Sequence, residues 1–403
     1  MIPFGTGSDW SFQDEPYYFI LPSTAEFGIT LMNASAMSGS AKNAPVCANF
    51  LSRLLARSFS EDQWVLPIHN HTLAHRWFRW YEKHRMKITL DGIAIDRPVF
   101  IISLPRSGSS MLQDLLCAHP SVAYITNMMY TFPDCFCAAE HFRKRLHLDV
   151  RGERFLQDSV EVGIGSPADP VGMWGAWLKQ DLFELACRPY RIIEFTPGEI
   201  AAIHDAIRRV LWCFGGVNRR YLCKTPALLP HILFLRDLFP DARFIHLVRD
   251  ARPNANSMLK LHRLCHEQWQ RIRTRRPGVS DQSTFVPYPR LPGLPELVER
   301  FGVDDLRTTA HLWNEAMAFI QAARPQIPTN QFHEVRYEDI VARPQEELAH
   351  IFRFLDLPEP GAAATTYHMR LAGVGKVRHQ NQYNGFEIVE GICGPTMRRY
   401  GYM

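Results

Sequence analysis

The stretch that most constrains the fold is Pro98-Val99-Phe100-Ile101-Ile102-Ser103-Leu104-Pro105-Arg106-Ser107-Gly108-Ser109-Ser110-Met111-Leu112. An apolar run rich in β-branched residues ends abruptly in a small polar turn with one glycine and one arginine. Apolar residues then recur at Met111, Leu112, Leu115 and Leu116, and the pattern closes at His119-Pro120. That order predicts a buried strand, a tight loop and a helix. A loop so placed lies at a helix N-terminus, where unpaired N–H groups and the positive end of the helix dipole face an anion. Gly108 lets the backbone approach that anion. Arg106 and the hydroxyls of Ser107, Ser109 and Ser110 add charge-assisted hydrogen bonds. The segment therefore reads as a site for a phosphate or sulfate group.

It is not a Walker A loop. Ser103 stands where that motif has its first glycine, and Ser109 stands where it has its lysine. Further apolar strands are expected downstream. Tyr221-Leu222-Cys223-Lys224-Thr225 is stopped by Pro226, and Ala242-Arg243-Phe244-Ile245-His246-Leu247-Val248 runs into Arg249-Asp250. Phe332–Asp339 is strand-like as well. Helical patterns lie between them, near Glu199–Phe214, Pro253–Trp269 and Gln345–Leu355. Strands alternating with helices imply an α/β fold, a parallel sheet flanked by helices. The ligand of such a sheet binds beyond the C-terminal strand ends, and both Arg106 and Arg249 follow such ends. Ser257, eight residues beyond Arg249, lies two turns along the next helix. An arginine leaving a strand and a serine on that helix can hold one phosphate from two sides.

Composition narrows the class. The chain has 403 residues, 46% hydrophobic and 21% charged, enough for a large core. We expect residues 1–90 to form a helical or irregular extension packed on a main domain over 91–403. Within that domain, the Arg- and Pro-rich stretch 271–295 reads as a surface loop or lid. A net charge of +4 is too small to imply nucleic acid. The nine cysteines show neither a disulfide framework nor zinc spacing, so reduced thiols and no metal are expected. His75 and His84, among Trp77, Trp80 and Tyr81, read as solvated positions on an aromatic core helix. No apolar run approaches a membrane span and the N-terminus lacks signal-peptide character, so a cytoplasmic location is expected.

Taken together, the Pro-Arg-Ser-Gly-Ser-Ser loop and the Arg249/Ser257 pair resemble the 5′-phosphosulfate and 3′-phosphate sites of sulfotransferases. Those enzymes use 3′-phosphoadenosine 5′-phosphosulfate (PAPS) as donor and release 3′,5′-adenosine bisphosphate. Cys223-Lys224-Thr225-Pro226, Phe239–Asp250, Val335–Ile340 and Gly375-Lys376-Val377-Arg378-His379 are similar to the bacterial sulfotransferase family 3 pattern. The resemblance implies a P-loop-like nucleotide-binding fold and sulfation of a hydroxyl on a carbohydrate, lipid or small metabolite. It implies Lys224 beside the bridging oxygen, and Lys376 and Arg378 closing over the nucleotide. It implies a capping role for Tyr337-Glu338-Asp339. It also implies a glutamate 21 or 22 residues after Arg106, where Asn127 and Met128 stand instead. Asp134 is the first candidate for the displaced base, ahead of Glu140 and His141, with Asp169 and Asp181 as alternatives. A kinase, or a non-catalytic nucleotide-binding protein on the same fold, remains open at this level.

Overall fold

The computed structural model describes residues 73–148, 151–153, 161–180, 185–186, 188–275, 286–375 and 383–403. The first helix, α1 (Leu73–Arg85), leads to β1 (Val99–Ile102), then α2 (Ser109–Cys117) and β2 (Val122–Ala123). Next come α3 (Asn127–Thr131), α4 (Phe136–Arg145), the small antiparallel pair β3 (Arg151–Glu153) and β4 (Glu161–Gly163), and α5 (Val171–Trp177). Helix α6 (Pro197–Cys213) precedes β5 (Arg220–Lys224), α7 (Ile232–Leu238), β6 (Arg243–Val248) and α8 (Ala251–Arg275). The chain continues through α9 (Leu294–Phe301), α10 (Leu306–Ala323), β7 (Phe332–Arg336) and α11 (Tyr337–Ala342). It ends with α12 (Pro344–Phe354), α13 (Thr365–Gly373) and α14 (Phe386–Arg399).

Five strands form one sheet in the order β2-β5-β1-β6-β7, and every pairing in it is parallel. All four residues of β1 are buried, as expected for a central strand covered on both faces. Successive side chains alternate between faces. Phe100 and Ile102 enter one core with Tyr221, Cys223, Phe244 and Val248, under α6, α7, α8 and α10. Val99 and Ile101 enter the other with Leu222, Ile245, Leu247 and Val335, under α2 and α12. The anticipated α/β architecture is therefore present.

Several boundaries differ from the sequence reading, each for a physical reason. Strand β7 stops at Arg336 because Tyr337 opens a helix. Glu338 and Asp339 fall in that helix's first turn, where the dipole favours acidic side chains. The surface loop expected over 271–295 does not occupy that whole range. Residues 271–275 continue α8, and Val286, Tyr288, Leu291 and Leu294 are buried in the first core. Residues 276–285 lie outside the described residues. Of the extension expected over 1–90, only 73–90 is described. His75 is not solvated: it is buried, its ring packs at a tilt on Phe132, and its Nε2 bonds the Thr131 carbonyl at 3.1 Å.

Candidate functional site

Register brings the functional ends of three strands together. Lys224 pairs with Ile101, and His246 pairs with Ile102. Ser103, Lys224 and Arg249 therefore leave the sheet at its C-terminal edge, the edge where ligands of open α/β sheets bind.

The loop after β1 is held in an uncommon backbone shape. Gly108 has φ +88° and caps α2 without a side-chain bond, and Leu112 N–H donates to its carbonyl at 3.1 Å. Arg106 is a non-glycine residue at φ +68°. Such positions cost about 1–3 kcal/mol and persist only when the surroundings fix them. Here they do. Arg249 Nη1 donates to the Arg106 carbonyl at 2.7 Å. Asn254 Nδ2 donates to the Pro105 carbonyl at 3.1 Å and to Ser107 Oγ at 3.2 Å. Arg106 Nε donates to Ser257 Oγ at 3.0 Å. The sequence-derived loop and the sequence-derived Arg249/Ser257 pair are thus one connected unit.

Tyr337 supports both halves. The Arg249 guanidinium lies 4.6 Å from the centre of its ring, a cation–π distance. A Cβ on Gly108 would come within 2.3 Å of Tyr337 Cδ2. The Arg249 carbonyl accepts from Trp313 Nε1 at 3.0 Å. Glu338 accepts from the Asp250 N–H at 3.1 Å and from the Tyr402 hydroxyl at 2.9 Å. Asp339 is paired with Arg336.

Lys224 is buried at the end of β5, and its Nζ reaches Asp169 Oδ2 at 2.9 Å. Five buried polar atoms around these strand ends have no hydrogen-bond partner: Asp169 Oδ1, Thr225 Oγ1, Ser103 Oγ, Arg249 Nε and Asn254 Oδ1. Buried polar groups are normally satisfied, so these atoms stand ready to pair with a ligand or a water. Below Lys224, burial pushes the Cys223 thiol up to about 12. His231, on the 3-10 turn Pro226–His231 that follows, is pushed down to about 4 by burial. Its Nδ1 accepts from the Tyr190 N–H at 3.3 Å.

The first candidate base is not gathered into this site. Asp134 is ion-paired with Arg79 of α1, because the turn before α4 packs under that helix. Glu140 is buried and takes Thr126 Oγ1 at 2.9 Å and Arg143 Nη2 at 2.7 Å. The His141 ring stacks on Tyr81. All three belong to the α1–α3–α4 cluster. Asn127 and Met128 are buried at the start of α3 and serve as a bracket. Asn127 N–H donates to the Ser166 carbonyl at 3.0 Å, and its Nδ2 donates to the Gly163 carbonyl at 2.8 Å. Lys376, Arg378 and Asp181 lie outside the described residues.

Sequence reasoning missed Asn254 and the packing role of Tyr337. Asn254 left a faint signal, since it is three residues before Ser257 and shares its helix face. Among the described residues, no group of three or more His, Cys, Asp or Glu side chains could hold a metal ion. No helix among them is long and apolar enough to cross a membrane.

With this geometry in place, the chain can be set beside known proteins. A family model described as the sulfotransferase family matches residues 98–282 and 295–361. Omega-hydroxy-beta-dihydromenaquinone-9 sulfotransferase Stf3 of Mycobacterium tuberculosis is 23% identical over 325 residues, 77% of this chain and 77% of that protein. Protein-tyrosine sulfotransferase 2 of Gallus gallus is 22% identical over 260 residues, 64% of this chain and 51% of that one. The crystal structure of sulfotransferase STF9 from Mycobacterium avium shares the fold, with a TM-score of 0.50 and 15% identity. That match spans 79% of this chain and 80% of that chain.

Proposed function

This chain belongs to the sulfotransferase family, and on that premise we propose that it moves a sulfuryl group from PAPS to a hydroxyl of a lipid or small metabolite. A hydroxylated lipid is favoured by the relative named for omega-hydroxy-beta-dihydromenaquinone-9. The observation that carries the donor assignment is the bonded unit of Arg106, Ser257, Arg249 and the loop backbone.

In this reading the N–H groups at the start of α2, with Arg106, Ser107, Gly108, Ser109 and Ser110, hold the 5′-phosphosulfate. Arg249 and Ser257 hold the 3′-phosphate. Ser257 Oγ accepts from Arg106 and keeps its own O–H to donate. Arg249 keeps its buried Nε–H to donate. Lys224 stands at the strand end to meet charge growing on the bridging oxygen as the bond to sulfur breaks. The moving group carries less charge than a phosphoryl group, so positioning and these cations supply the stabilisation. Lys376 and Arg378 would close over the nucleotide from the C-terminal segment.

Titration calorimetry tests the donor. The chain is expected to bind 3′,5′-adenosine bisphosphate far more tightly than AMP, and Arg249→Ala should erase the difference. Each charge-assisted contact is worth about 1.5–3 kcal/mol, or roughly 10- to 150-fold in affinity. Equal affinity of the unaltered chain for the bisphosphate and AMP would overturn the PAPS reading.

A further inference from the structure

We propose that Asp169 is the general base of this sulfotransferase, taking over the proton that a glutamate at position 127 or 128 would have accepted. The inference rests on the PAPS reading above and adds to it the residue that activates the acceptor.

The placement is made by hydrogen bonds. Thr126 bridges Pro167 in antiparallel fashion, and Ala168 N–H donates to the Ile125 carbonyl at 2.8 Å. The segment carrying Asp169 thus runs alongside the chain that leads into Asn127. Gln113, on the helix that begins with the anion loop, donates its Nε2 to the Ala168 carbonyl at 3.1 Å. On the far side, Trp174 Nε1 donates to Cys223 Sγ at 3.2 Å, next to Lys224. Asp169 is held from the anion-loop helix, from the segment before α3 and from β5 at once. That is the rigid support a reacting group needs.

The carboxylate itself is divided in use. Oδ2 faces the Lys224 ammonium at 2.9 Å. Oδ1 is covered and has no partner. A closed, unpaired carboxylate oxygen is unfavourable for folding alone. The side chain as a whole is 37% exposed, so an acceptor hydroxyl can reach the carboxylate from its open side, donate to it and bring its oxygen beside the lysine that meets the sulfuryl group. Among the described residues, the other titratable groups that feel the Asp169 charge are the Tyr130 phenol and the Cys223 thiol. Burial holds both up at about 12, so neither competes for the proton near neutrality. The step balances. The acceptor oxygen bonds to sulfur, and its proton passes to Asp169. The S–O bond to the 5′-phosphate breaks, its electron pair leaves with the bisphosphate, and Asp169 later returns the proton to water.

The test uses the full chain, 35S-labelled PAPS, and three acceptors: 1-octanol, p-nitrophenol and water, the last read as free labelled sulfate. In Asp169→Asn the amide oxygen still accepts from Lys224, but the side chain cannot take a proton. Transfer to 1-octanol and water should fall about 100- to 10,000-fold. Transfer to p-nitrophenol, already acidic, should fall much less. Calorimetric affinity for the bisphosphate should stay within about threefold of the unaltered chain, well short of a lost charged contact. Undiminished transfer to 1-octanol by Asp169→Asn overturns the proposal. So does an equal loss for all three acceptors matched by that of Lys224→Ala, which would make Asp169 only a holder of the lysine. If the unaltered chain binds the bisphosphate no better than AMP and transfers to none of the three, the donor reading falls and this inference with it.

Discussion

Gly108→Ala probes the anion loop with one methyl group, and its consequence can be worked from two separate facts. The first is the backbone. Gly108 sits at φ +88°, where an L side chain meets the following carbonyl at a cost of about 1–2 kcal/mol. The second is the neighbour. The new Cβ would lie 2.3 Å from Tyr337 Cδ2 and 2.5 Å from Cε2. That ring is not free to swing, because Arg249 covers it at 4.6 Å and Tyr337 opens α11. Overpacking of this kind costs about 1–3 kcal/mol. The sum, about 2–5 kcal/mol, is large against the whole stability of a typical domain. Urea denaturation of the full chain should read that loss, and calorimetry should show bisphosphate binding abolished or nearly so. The two terms separate in a double-mutant cycle. In a Tyr337→Ala background the clash is gone, so the same glycine substitution should cost only the backbone term. Unchanged stability and unchanged bisphosphate affinity in Gly108→Ala would refute the close approach of loop and ring. A purely additive cycle would refute the clash while leaving the backbone argument standing.

Asn254→Ala removes the two bonds that tie α8 to Pro105 and Ser107. It should destabilise the chain by about 1–3 kcal/mol in urea titration and raise the KM for PAPS more than it lowers kcat, since the loop is loosened rather than its charge removed. His231 predicts an acid sensitivity. Its folded value, about 4, lies below the ordinary 6.5, so its contribution is complete above pH 6.5 and is lost as pH falls toward 4. At 1.36 kcal/mol per pH unit that interval is worth about 3 kcal/mol. The stability–pH curve of His231→Gln should be flatter between those values, and an unchanged slope would contradict the burial argument.

The parts of the molecule legible in the sequence are those whose cause is local. Val99–Ile102 reads as a central strand because every residue is apolar, and the structure buries all four between two helical layers. The loop of Arg106 and Gly108 reads as a tight turn into a helix because its glycine and the helix pattern are adjacent in the chain, and the structure places Gly108 at the cap of α2. Arg249 and Ser257 were readable for the same reason: strand end and helix face are eight residues apart. What the sequence hid depends on contacts between distant residues. Tyr337 continues an alternating pattern from Val335, and only its packing under Gly108, far upstream, assigns it to a helix start.

The displaced base is the sharpest case. Close to Asn127 in sequence the first candidate is Asp134, seven residues on, yet the turn there faces α1 and its carboxylate pairs with Arg79. The segment that does run beside Asn127 is Gly163–Ala168, joined to it through the Gly163 and Ser166 carbonyls and the Thr126–Pro167 bridge. Asn127 is required there as a donor to a carbonyl, a task a carboxylate cannot perform. The amide that stands where the family resemblance implies an acid is thus the group that fixes the neighbouring segment in place. One step beyond that segment, Asp169 meets Lys224. The amide at position 127 and the proposed base at position 169 then belong to a single hydrogen-bonded arrangement. It follows that Asn127→Glu should not restore a base. It would break the bond to Gly163, release the Asp169 segment, and lower transfer to 1-octanol rather than raise it.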